Sequence, residues 1–239
     1  MEEGGQSTAV DTRARILDAA IALLDHGGRD AVTTRAVGVA AGVQAPTIYR
    51  LFGDKNALLD AAVMAGFMRF RDQQDRTPGD DPVDDLRRGW NFHVRFGLTH
   101  PHLYALMYGD PRVGRLSPAA SAAADVAAGH LRRIAEGGRL RVTEKQALDL
   151  VHATGSGITL TLIAQPAERR DLGLSDLARE AIIAAVTTDG PAVAGAGPAA
   201  AAVHLRAALD HSSALSPNER GLLGDWLERI ASTTDAAAE

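Results

Sequence analysis

Val32 to Leu59, VTTRAVGVAAGVQAPTIYRLFGDKNALL, spells two short helices joined by a tight turn and the start of a third. Thr33 offers a hydroxyl cap to a helix whose apolar positions Ala36, Val37, Ala40 and Ala41 recur at three- and four-residue spacing. Gly42 ends that helix: glycine enters the left-handed region without a Cβ penalty, so Ala41, Gly42 and Val43 reverse the chain at once. Pro46 suits the first turn of the next helix, where its missing N–H would have been unpaired in any case. Thr47, Ile48, Tyr49 and Arg50 continue it before Phe52 and Gly53 close it. Two helices with a glycine turn between them, the second short and polar-tipped, make a helix-turn-helix.

These residues closely resemble the DNA-binding motif of the TetR family of bacterial transcription regulators. Thr33, Thr34, Arg35, Ala41, Gly42, Val43, Pro46, Thr47, Ile48, Tyr49, Phe52, Lys55, Ala57 and Leu58 match it in fixed order. The resemblance implies an all-α chain, with an N-terminal three-helix DNA-binding domain followed by a larger helical domain for ligand binding and dimerisation. It also implies that Thr33, Thr34, Arg35, Gln44, Ala45, Pro46, Thr47, Tyr49, Arg50 and Lys55 lie at double-stranded DNA. Thr47 and Gln44 are expected at base edges in the major groove, with Ala45 offering only a methyl, while Thr34, Arg35, Tyr49 and Lys55 hold phosphates. Three positions depart from the family: Gln44 replaces a serine or threonine cap, Ala45 a polar base reader, and Leu51 an aromatic residue or histidine. Direct base readout is therefore expected to be sparse.

The rest of the composition agrees with a helical protein. Hydrophobic residues make up 46% of the 239 and aromatics 4%, so the core is built from alanine, leucine, valine and isoleucine. Cysteine is absent, which removes disulfides, thiolate nucleophiles and cysteine zinc sites together. The opening MEEGGQSTAV has neither a basic nor an apolar leader segment, and no long apolar run follows, so a cytoplasmic protein without membrane contact is the expectation. A net charge of −5 is unusual for a DNA binder. The balance is local, however: between Thr33 and Lys55 the bases Arg35, Arg50 and Lys55 outweigh Asp54, and acids gather elsewhere, as at Asp80, Asp81, Asp84 and Asp85.

Helical spacing places further elements at Thr12 to Asp25, closed by Gly27 and Gly28, and at Lys55 to about Asp75, capped by Asp54. Arg13 and Arg15 lie near the start of the first, where the family's first helix approaches the DNA backbone. Beyond the polar segment Arg71 to Pro82, patterned stretches run from Val83 to Thr99, from Pro101 to Gly109, from Pro118 to Glu136, from Thr143 to Ala164 and from Ser175 to about Thr188. The last two carry apolar residues on more than one face (Leu148, Val151, Ile158, Leu162; Leu177, Ile182, Ile183, Val186) and are the expected homodimer interface. Two amphipathic helices, Pro198 to Asp210 and Pro217 to Ser232, form a final hairpin. The expected organisation is a disordered tail 1–10, a helix-turn-helix domain 11–60, an effector-binding and dimerisation domain 61–188 with helix 55–75 shared as connector, and a flexible linker with hairpin 189–239.

The stretch from Trp90 to Pro111 is the densest aromatic region of the chain. Trp90, His93, Phe96, Tyr104, Met107, Tyr108 and His152 are candidates to line an apolar pocket with polar tips for a drug-sized effector, set against the alternative that they fill a helical core. His93, His100, His102 and His152 lack a carboxylate or cysteine at ligand spacing, so a cap or a polar point in the pocket is the expectation, with no metal and no cofactor. Ser156 in Gly155-Ser156-Gly157 is no nucleophile elbow, and Gly195 to Ala200 is no phosphate loop; no catalytic residue emerges and no enzyme is expected. The resemblance implies a ligand-responsive regulator, most naturally a repressor. The rival reading is a helical small-molecule binding or interaction module without specific DNA readout.

Overall fold

The computed structural model describes residues 3–73, 77, 79–109, 113–188, 197–211 and 214–232. Among these the chain is helical with no strand; Leu140 and Thr187 make one isolated antiparallel bridge. It divides into two compact units, Met1–Arg76 with Arg95–Ala123, and Thr77–Val94 with Ala124–Glu239.

In the first unit α1 (Glu3–Ala31) packs against α2 (Thr34–Ala41), α4 (Lys55–Asp72) and α6 (Pro101–Tyr108). α1 starts well before Thr12: residues 3–10 lie inside it and not in a tail, and no proline interrupts them. Its regular helix breaks at Gly28, whose φ of 65° and ψ of −160° turn the chain out of the helix where the glycine pair suggested. Ile16, Ala20 and Leu24 form its buried stripe, and α4 buries Leu58, Leu59, Ala62, Val63, Phe67 and Phe70, all at helical spacing. Each such Leu or Phe contributes roughly 1.5–3 kcal/mol of burial. α4 and α6 come close at Gly66, where an added Cβ would meet Leu103 Cδ2 at 2.5 Å. α3 (Ala45–Phe52) rests on α2 and α4.

The second unit holds the first part of α5 (Pro82–Thr99), most of α7 (Pro118–Glu136), α8 (Glu144–Ile163), α9 (Gly173–Val186), α10 (Gly197–Ala208) and α11 (Pro217–Ala231). Its core joins Val83, Leu86, Leu131, Ile134, Ala147, Ile183, Val186, Val203 and Ala207. Thr143 caps α8 through a capping box with Gln146. Asp85, 2% exposed, is bound by Arg88 and Arg133 and accepts the Gly79 N–H at 3.0 Å, which fixes the start of α5. Residues 74–76 and 78 of the expected boundary segment, Pro111, and residues 189–196 of the expected linker lie outside the described residues.

Candidate functional site

The helix-turn-helix is assembled from caps and one tight turn. Thr33 Oγ1 accepts the Ala36 N–H at 3.1 Å and starts α2. Gly42 (φ 64°, ψ 39°) ends it in the left-handed region, and the Val43 N–H then reaches back to the Gly38 carbonyl at 2.9 Å. A Cβ at Gly38 would sit 2.8 Å from the Val43 carbonyl oxygen, so this second glycine is needed for the turn to close. The sequence marked it only as a glycine inside a helical pattern.

α3 is anchored by Ile48 and Phe52, both buried, which leaves its opposite surface outward. Gln44, Pro46, Tyr49 and Arg50 are exposed, Ala45 and Thr47 half-buried at its edges. Thr33 and Arg35 are exposed and Thr34 half-buried; Thr34 Oγ1 lies 3.4 Å from the Tyr49 hydroxyl, tying the two helices at their outer surface. Gln44 occupies the N-cap position of α3 without a side-chain cap bond, so its amide is not spent locally. Lys55 is exposed at the first position of α4, while Asp54 already accepts the Ala57 N–H at 2.8 Å. The surface thus offers Arg35, Arg50 and Lys55 as cations beside polar tips. Arg13 lies with its guanidinium 4.9 Å above the Phe52 ring, and Arg29 donates to Asn56 Oδ1 at 3.1 Å; these two arginines brace the head.

The proposed effector residues divide between the units. In the first, Phe96, Tyr104 and Met107 are buried. Phe96 contacts Phe67, Phe70, His100 and Tyr104 at ring separations of 5.5, 5.4, 5.6 and 6.3 Å, and Tyr104 meets the Tyr108 ring at 4.7 Å with the planes tilted by 42°. Burial pushes the Tyr108 phenol well above its usual range. In the second, Trp90 is buried and donates from Nε1 to Ser175 Oγ at 3.0 Å. Gly155 of α8 faces it, and a Cβ there would meet Trp90 at 3.6 Å and His93 at 3.7 Å. His93 keeps part of its surface accessible, yet its crowded surroundings hold its imidazole down to about 4, with neighbouring His152 adding to the depression. Burial lowers His152 as well. A shallow dent with essentially no enclosed volume lies elsewhere, bordered by Thr143, Glu144, Val203, Arg206, Glu228 and Ala231. Small-molecule sites span roughly 300–1,000 Å³.

His100 and His102 have partners that the sequence did not reveal. His100 Nδ1 is 3.1 Å from Asp25 Oδ1 of α1, and the His102 ring lies where a Cβ on Gly28 would meet Nδ1 at 3.0 Å. Together with the Gly66–Leu103 contact they join α6 to both α1 and α4. Among the described residues no group of three or more histidines and carboxylates is placed to hold a metal ion. No described helix is long and apolar enough to cross a membrane.

Residues 16–62 match the family model of bacterial regulatory proteins of the tetR family. The chain is 39% identical over 77 residues to the HTH-type transcriptional repressor KstR of Rhodococcus jostii, a match covering 32% of this chain and 36% of that protein. It therefore spans little more than a third of the length of that relative. Two solved structures share its fold: a tetR-family regulator from Shewanella, with a TM-score of 0.57 at 17% identity covering 74% of this chain and 98% of that one; and a TetR from Acinetobacter baumannii in complex with minocycline, with a TM-score of 0.54 at 24% identity covering 71% and 93%. Residues 16–62 thus carry the helix-turn-helix of the tetR family, and the fold is similar to that of solved TetR-family regulators.

Proposed function

We propose that the chain is a ligand-responsive transcription regulator that represses by holding a palindromic double-stranded operator as a homodimer, in the cytoplasm. The observation that carries this is the head itself: two capped helices on a glycine turn, with Arg35, Gln44, Tyr49, Arg50 and Lys55 all exposed along one continuous segment. On this reading Gln44 and Thr47 touch base edges, Ala45 and Pro46 pack against the groove wall, and Thr33, Thr34, Arg35, Tyr49, Arg50 and Lys55 hold the backbone. The relative named above as a repressor supports the same direction.

Two heads about 34 Å apart are needed, because one short helix reads too few bases. The exposed faces of α8 and α9 are the proposed dimer surface: Leu150, Ala153, Gly157 and Thr161 on one, Leu177, Ala181 and Ala184 on the other. Of the apolar residues put forward from the sequence, Leu162, Ile183 and Val186 instead serve this chain's own core, and Leu177 is outward at 72% exposure. Small outward residues let two helix pairs approach closely.

The effector is proposed to be apolar with one or two polar groups, matching the apolar side chains and few polar tips of the candidate lining. Phe96, Tyr104 and Met107 are packed against side chains, so a ligand entering there displaces α6, and α6 carries that displacement to α1 and α4 through His100–Asp25 and Leu103–Gly66. A ligand shifts the equilibrium only by its difference in affinity between the two arrangements. An electrophoretic shift with DNA upstream of the protein's own gene, repeated with a panel of apolar compounds, tests the proposal. Sequence-selective retardation, relieved by at least one compound, is the expected result. Retardation of every duplex alike would favour the rival binding module.

A further inference from the structure

The first turn of α3 carries no charge. Gln44, Ala45, Pro46 and Thr47 occupy its N-cap and first three helical positions, no acidic residue stands among them, and the first basic residue of the helix is Arg50 in its last turn. Gln44 and Pro46 are exposed and Ala45 and Thr47 half-buried, while Ile48 and Phe52 fix the helix from behind. The Gln44 side chain makes no capping bond, so its amide keeps a carbonyl acceptor and an NH2 donor for an outside partner. Tyr49, the next polar side chain, has its hydroxyl 3.4 Å from Thr34 Oγ1 and is held toward α2. What the turn presents is therefore one amide, one hydroxyl and three apolar groups: the Ala45 and Thr47 methyls and the Pro46 ring.

Each base pair shows a chemistry that such a surface can or cannot match. In the major groove guanine offers two acceptors, best met by arginine or lysine, and cytosine offers an amino donor, best met by a carboxylate; this turn has neither. Adenine offers an acceptor beside a donor, which a glutamine amide meets with both of its ends, and thymine offers a C5-methyl group, which alanine and threonine methyls meet. Resting on the operator binding proposed above, we infer that the head selects A·T pairs, with Gln44 on an adenine edge and the Ala45 and Thr47 methyls against thymine methyls. An α-helix rises about 1.5 Å per residue and stacked bases about 3.4 Å, so the stretch from Gln44 to Thr47 spans little more than one base step. Its targets are consequently neighbours, two or three consecutive A·T pairs in each half-site. The groove wall against which Ala45 packs then itself carries sequence information.

The test is selection followed by methyl removal. Binding of the full chain to a pool of duplexes randomised over about three helical turns is expected to enrich a palindrome with such a run in each half. Fluorescence anisotropy then compares the enriched duplex with one in which deoxyuridine replaces each thymidine of the run, a change that removes the C5-methyl and leaves base pairing intact. Affinity is expected to fall about fourfold for each contacted methyl removed from a half-site, the effect of one buried methyl group. Ala45→Gly and Thr47→Ser each delete the protein's side of one contact, Thr47→Ser with its hydroxyl kept, and each is expected to lose part of the discrimination between thymine and uracil. Deazaadenine lacking the N7 acceptor is expected to weaken binding by wild type and to leave Gln44→Ala indifferent. Equal affinity of wild type for the thymine and uracil duplexes overturns the inference, as does an enriched half-site without consecutive A·T pairs. A uracil penalty undiminished in both methyl-deleting variants overturns it too, because duplex shape and not methyl contact would then set the preference. In these three cases operator binding itself stands, whereas a pool in which no sequence is enriched removes the operator reading and this inference together.

Discussion

At the first position of α4, Lys55 is fully positioned by backbone, since Asp54 has fixed the helix start by taking the Ala57 N–H. Its ammonium is free to meet a phosphate beside the positive end of the helix, although the Asp54 carboxylate beside it tempers the attraction. Lys55→Ala is expected to weaken binding to every DNA sequence alike and to lower the slope of log K against log salt by about one, the signature of one lost phosphate contact. Titration of labelled duplexes over a range of salt reads both, and an unchanged slope removes Lys55 from the interface. His93 makes a pH prediction. Its folded imidazole is held down to about 4 by burial, with His152 contributing, whereas an unfolded one titrates near 6.5. Between those values the unfolded chain holds a proton that the folded chain does not. Stability is therefore complete above about pH 6.5 and falls as pH drops toward 4, by at most roughly 3 kcal/mol from this residue. Burial lowers His130 and His152 too, and they add with the same sign. Urea unfolding at pH 7.5 and pH 5 should show a smaller loss in His93→Leu than in wild type; equal losses would mean that His93 protonates without cost.

Helix boundaries were legible wherever a cap or a glycine wrote them locally. Thr33, Gly42, Asp54 and Thr143 stand at the ends of α2, α4 and α8 as their chemistry requires, and the buried positions of α4 follow from spacing alone. What the sequence withheld was partnership across the chain. No spacing rule pairs His100 with Asp25 or brings Leu103 onto Gly66, because such contacts are set by packing between helices far apart in sequence. The same limit governed the aromatic stretch, where a stripe looks alike whether a ligand or another side chain covers it. In the sequence Phe96 is a candidate for a pocket wall, set against a place in the helical core. In the structure it is 1% exposed among four rings, so Phe96→Ala opens a cavity costing about 3–5 kcal/mol, which a thermal or urea melt reads directly. A melt within about 1 kcal/mol of wild type would mean instead that Phe96 lines an open site and carries little of the packing. The proposed dimer face met the same limit: apolar residues lie on two sides of α8 and α9 in the sequence, but only packing tells which side this chain keeps for itself.

At the scale of the whole molecule, an acidic chain of net charge −5 holds its cations Arg35, Arg50 and Lys55 on a small exposed head, so the proposed operator binding is expected to carry modest nonspecific affinity and to depend on geometry for specificity. On the proposed reading, two heads held one helical turn apart multiply weak single-head readout by Gln44 and Thr47 into selective binding. Sparse base contacts make that spacing the main determinant. The central claim is therefore tested most directly by fluorescence anisotropy of a labelled duplex taken from upstream of the protein's own gene, with stoichiometry measured at saturation. Two chains per palindromic site are expected, with affinity lost on insertion of about five base pairs between the half-sites, which turns them to opposite faces of the duplex. Equal affinity for the original and the respaced duplex would contradict it.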